Sequence, residues 1–139
     1  MSRYFKLSEL THSDTADRLG MSNVPNEEMT SHLLELMSVL DDLRSYVGCP
    51  IRVTSGYRCP LLNRRVGGSA TSAHTIGYAA DLQPVGLSFN VFKRMVLEWA
   101  KEAKFDQCII ERNSQTSWIH LGLYNCEGKQ RHQVFSLNV

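Results

Sequence analysis

At 139 residues, 42% of them hydrophobic and 21% charged, the chain has the composition of a soluble globular protein. Its length is enough to bury a core without disulfide staples. Its formal net charge of +1 gives no field that argues for nucleic acid, and no basic run points to a membrane surface, which weakens a nucleic-acid-binding reading without excluding it.

Length predicts one domain spanning residues 1–139. The opening run MSRYFKLSELTHSD carries no apolar signal-peptide core, so synthesis in the cytoplasm is expected. No stretch approaches the roughly 18 apolar residues that argue for a membrane span. Cys49, Cys59, Cys108 and Cys126 lack CxxC spacing, which leaves zinc-ribbon and thioredoxin motifs unsupported and predicts reduced, packed thiols.

The first 25 residues read as a short helical turn followed by a polar arm. Asn26 then suits an N-cap, with Glu27 and Glu28 in the first turn. Met29, Leu33, Leu36, Leu40, Leu43 and Val47 follow at three-four spacing and make one face of a long amphipathic helix, which Gly48 and Pro50 end. Residues 51–54 read as a strand, 55–58 as a turn, and 60–66 as a short helix with Pro60 near its first position. The segment 69–75 reads as a loop, and 78–83 as a strand stopped by Pro84. Ser88 caps a second long helix that extends to about Lys104, with Phe89, Phe92, Met95, Val96 and Trp99 on its buried face. Three strands finish the chain, at 107–111, 118–123 and 133–137, with a hairpin over 112–117. Helices early and strands late predict an α+β domain, helices packed on one face of a mostly antiparallel sheet.

Three residues stand out for chemistry. His74 precedes Asp81 in SAHTIGYAAD, and His120 sits in SWIHLGL. Two imidazoles and a carboxylate hold a zinc ion and leave a fourth position open, the property that separates catalytic from structural zinc. The first pair alone also suits a capped or salt-bridged Asp beside an ordinary loop histidine. Asp81, however, lies in an apolar strand, where a carboxylate is costly unless paired, hydrogen-bonded or on a metal. Alternation in the later strand puts Trp118, His120 and Gly122 on one face and Ile119, Leu121 and Leu123 on the other. If the aliphatic side meets the helices, His120 faces a cleft with Trp118 as its wall. His12, His32 and His132 lie in polar or solvent-facing contexts and read as incidental.

The water activated by such an ion needs a proton acceptor, usually a carboxylate. Glu111 closes the strand before His120, where cross-strand neighbours come within reach; it is either that acceptor or a solvated strand-end acid. Glu127 is a weaker alternative. Arg58, after a glycine turn, either grips a substrate carboxylate or carbonyl or is a surface arginine. Ser69 and Ser72 either offer hydroxyls to a substrate or are ordinary loop residues.

SGYR at 55–58, GGSATSAHTIGYAAD at 67–81 and WIHLGL at 118–123 together resemble the zinc D-Ala-D-Ala carboxypeptidase family. Its members include bacterial DD-carboxypeptidases, vancomycin-resistance dipeptidases and phage L-alanyl-D-glutamate endolysins, and the hedgehog signalling domain shares its fold. The resemblance runs from YFKLSELTHSDTA through WIHLGL. It implies a hedgehog/DD-peptidase-like fold and zinc held by His74, Asp81 and His120. It also implies an Arg58 that contacts the substrate and a Ser72 that matches the family serine near it. Many members carry the catalytic acid three residues before the last histidine, where this chain has Ser117; others carry a Glu at the end of the preceding strand, which matches Glu111. The implied activity is hydrolysis of an amide in the peptide stem of peptidoglycan, of carboxypeptidase or endopeptidase type, by a monomer that acts at the cell wall, as in a phage lysis or tail-associated role. The alternative is a non-catalytic module of the same fold that binds cell wall or a protein partner.

Overall fold

The computed structural model describes residues 2–139. Helix α1 (Leu7–Thr11) is the expected short helical turn, and α2 (Asp14–Arg18) stands in place of the expected polar arm. Ser13 accounts for the second helix: its hydroxyl accepts the Ala16 N–H at 3.1 Å, the bond an N-cap supplies. Helix α3 (Glu27–Val47) follows the expected signals from end to end. The Asn26 side chain accepts the Met29 N–H at 2.8 Å, Gly48 is the C-cap, and five of the six predicted apolar positions are buried, Met29 being only partly so.

Strand β1 (Ile51–Ser55) leads to α4 (Pro60–Arg65), and a 3-10 turn (Ala73–Ile76) precedes β2 (Ala79–Pro84). Helix α5 (Phe89–Ala100) is followed by β3 (Gln107–Arg112), β4 (Ser117–Gly122) and β5 (Gln133–Asn138). Helix α5 stops at Ala100, short of the expected Lys104. Phe105 must turn back into the core, where it is fully buried and stacks on Trp99 with ring centroids 6.3 Å apart; a helix carried to Lys104 leaves no room for that return.

The sheet order is β1-β2-β4-β3-β5. Three pairings are antiparallel, and β5 runs parallel to β3. The parallel edge follows from the return path after β4. Residues 123–132 pass back to the start of β3, where Gln133 N–H donates to the Asp106 carbonyl at 2.8 Å and His132 N–H to that of Phe105 at 3.0 Å. The core joins the two long helices to one face of the sheet, with Ala80, Leu82, Cys108, Ile119 and Leu121 fully buried. That assigns the aliphatic side of β4 to the helices, as its alternation predicts. Among the described residues no helix is long and apolar enough to cross a membrane. Cys108 is packed in the core, whereas Cys126 is exposed rather than packed.

Candidate metal centre

The sheet face opposite the helices carries the chemistry. Asp81 lies in β2 and His120 in β4, and the two are direct cross-strand partners, so register alone brings them together. His74 comes from the 3-10 turn rather than from a loop. Ser72 starts that turn by accepting the His74 N–H at 3.2 Å. Gly77 ends it at φ +82°, where a Cβ would lie 2.6 Å from the Met29 carbonyl oxygen; the backbone and the available space both demand glycine. His32, read as incidental, braces this turn instead. Its Nδ1 bonds the Ile76 carbonyl at 2.6 Å and its ring stacks on Tyr78 at 4.0 Å.

His74 Nε2 stands 3.3 Å and His120 Nδ1 3.2 Å from the same Asp81 Oδ1, and the three donor atoms lie within 4.8 Å of one another. Tetrahedral zinc with bonds of about 2.0–2.1 Å needs ligand atoms about 3.3 Å apart, so the spacing fits. Proton placement fits as well. His74 Nδ1 lies 2.7 Å from the Gly56 carbonyl oxygen, which only accepts, so in the neutral ring the hydrogen sits there and Nε2 presents a bare lone pair to a carboxylate oxygen. Two acceptors in contact favour a cation between them, a metal ion or a proton.

His74 is 2% exposed, and burial lowers its pKa and holds the ring neutral, although Asp81 pulls the other way. Burial raises the Asp81 carboxyl, but the two neighbouring imidazoles outweigh it and hold that group well below the usual carboxylate range. A neutral imidazole and an ionised carboxylate are the states a metal requires.

The three residues line a cleft of about 560 Å³ together with Arg58, Glu111 and Trp118. The Arg58 backbone N–H donates to the His74 carbonyl at 3.0 Å. Its guanidinium Nε is buried and unpartnered among the described residues, an arrangement that costs free energy until an acceptor arrives. Burial lowers the Arg58 pKa, while the carboxylates of Asp81 and Glu111 raise it. Glu111 accepts the Trp118 indole N–H at 2.5 Å. Ser69 and Ser72 stand on the cleft wall. The Ser72 hydroxyl is engaged in capping, and that of Ser69 lies 3.1 Å from Thr71 Oγ1.

Ser117 does not line the cleft; strand alternation turns it to the face opposite His120. Glu127 is exposed in the turn after β4, also outside the cleft. His12 joins Asp14 and Asp17 in a separate, exposed group, and His132 bonds the Ala100 carbonyl at 2.7 Å.

Sequence reasoning missed one pair on the cleft wall, Asp106 and Arg131. The Arg131 guanidinium grips the buried Asp106 carboxylate in a fork of 2.8 and 2.9 Å. Burial raises that carboxyl, and Arg131 more than offsets it and lowers the pKa. A single Asp at a strand entry hints at a partner, but nothing local says that the partner lies 25 residues on.

A family model described as Peptidase M15 matches residues 3–122, a span that holds His74, Asp81 and His120 as well as Arg58 and Glu111. Comparison with curated proteins finds no match.

Proposed function

The chain belongs to the peptidase M15 family, and on that premise we propose that it is a zinc-dependent peptidase that hydrolyses an amide bond in the peptide stem of peptidoglycan. The observation that carries this reading is the meeting of two imidazoles and one carboxylate, within 4.8 Å, in an open cleft. His74, Asp81 and His120 would hold the ion. Zinc bound there supplies Lewis acidity toward a carbonyl oxygen and toward water.

The chain's own residues do the rest. The Gly56 carbonyl fixes the His74 tautomer and ring orientation. Arg58, with an unpartnered donor at the cleft, grips a substrate carbonyl or carboxylate and opposes the negative charge that develops on the scissile group. Glu111 takes a proton from the attacking water and passes it to the leaving amine. Trp118 forms an apolar wall, and Ser69 and Ser72 offer hydroxyls to the peptide. The protein works as a monomer at the cell wall, in a phage-like lytic role, with cleavage of carboxypeptidase or endopeptidase type.

The test is to incubate the purified protein with peptidoglycan, with zinc and with a chelator. New amino groups released only in the presence of zinc are the expected result, and mass spectrometry of the products identifies the bond. Stoichiometric zinc binding without cleavage of any wall type would overturn the reading in favour of a module that only binds.

A further inference from the structure

A proton acceptor must stay within hydrogen-bond reach of the proton it takes. A glutamate has several rotatable bonds, and holding it in one geometry opposes considerable rotamer entropy. Glu111 also sits near a strong distraction. Arg58 lies close enough for its guanidinium to feel the Glu111 charge, and its Nε has no partner. If the two side chains closed on each other, both would be lost to the substrate.

The partner that Glu111 does have lies across the strand. Glu111 and Trp118 are direct Cα partners between β3 and β4, and the indole N–H donates to Glu111 Oε2 at 2.5 Å. No other protein group among the described residues bonds this carboxylate. An indole nitrogen only donates, so the bond has one polarity, from Trp118 to the carboxylate. It engages one carboxylate oxygen and leaves Oε1 free.

We propose that Trp118 is a positioning residue: its indole N–H tethers Glu111 through Oε2, holds the carboxylate off Arg58, and presents Oε1 to the reacting water. This rests on the reading of Glu111 as the proton acceptor. The ring's apolar bulk is a separate property, which Trp118→Phe preserves while removing the donor.

The test is a double-mutant cycle on the zinc-loaded full chain with soluble muropeptides, joined to NMR of the indole N–H groups. Glu111→Gln is expected to lower kcat by about 100-fold or more, the scale of acid–base catalysis, and Trp118→Phe by about tenfold with KM nearly unchanged. Trp118→Phe in the Glu111→Gln background is expected to lower kcat no further, because the tether has nothing left to position. The Trp118 indole resonance, recorded with and without zinc, should move in Glu111→Gln. That of Trp99, whose N–H bonds Asp42 at 2.9 Å, should stay and serves as the internal reference.

A wild-type kcat in Trp118→Phe, or the same loss in both backgrounds, would overturn the proposal and leave Glu111 its role. A wild-type rate in Glu111→Gln would overturn the proton-acceptor reading itself, and the tether's purpose with it. Should the Phe variant fail to fold, an unmoved Trp118 resonance in Glu111→Gln is enough to reject the tether.

Discussion

At the scale of single residues, His74 and Asp81 make folding depend on acidity in a defined direction. Burial lowers the His74 pKa below its value in the unfolded chain. As pH falls past the unfolded value, the unfolded state binds more protons and gains on the folded one. Asp81 is also held low, so its contribution is complete above the unfolded carboxylate value and is lost as pH falls through the folded one. Both effects act in the same sense. In chelator, the urea midpoint should therefore fall steadily from about pH 7.5 to pH 5, across the ordinary histidine range. In His74→Gln most of that slope should vanish. Equal slopes in the two proteins would mean that His74 is not held neutral by burial.

At the scale of elements, the residue that follows β1, Gly56, does two jobs at once. A Cβ on Gly56 would sit 2.2 Å from the Leu10 carbonyl oxygen of α1, and the Gly56 carbonyl orients His74 at 2.7 Å. Helix α1 is tied to the same point, since Tyr57 N–H donates to the Leu10 carbonyl at 2.7 Å. Gly56→Ala should force the two apart and lower stability by about 1–3 kcal/mol, the range of overpacking. It should also weaken zinc by about 10–100-fold, as loss of a partner to a ligand does. Urea denaturation and competitive zinc titration measure the two effects separately. Lower stability with unaltered zinc affinity would show that the carbonyl does not tune the ligand.

At the scale of the whole molecule, an ion that binds only the folded chain stabilises it by mass action. The three candidate ligand residues come from β2, β4 and the 3-10 turn and span residues 74–120, so the unfolded chain has no comparable site. With free zinc at about 100 times its dissociation constant, stabilisation of about 2.7 kcal/mol is expected. For a chain of this size that is a rise in Tm on the order of 10 °C, reversed by chelator. A melting curve indifferent to zinc would remove the support for a metal centre built by the fold.

Much of this molecule is written locally in its sequence. Helix α3 has its cap, acidic first turn, apolar stripe and terminal glycine within one stretch of chain. The two faces of β4 follow from alternation, because strand geometry has period two. The meeting of His74, Asp81 and His120 as a candidate metal cluster is readable from residue type and motif, since a carboxylate in an apolar strand demands a partner. What the sequence left open involved groups far apart along the chain. The parallel edge of β5, the early end of α5, the Asp106–Arg131 fork, the support of the His74 turn by His32 and the tie between Tyr57 and Leu10 each join segments whose pairing no local pattern encodes. Register decided the rest: only the β2–β4 pairing sets Asp81 opposite His120, and only the β3–β4 hairpin puts the indole of Trp118 on the carboxylate of Glu111. Periodicity fixes which side of an element a residue occupies, and tertiary packing alone fixes what it meets there.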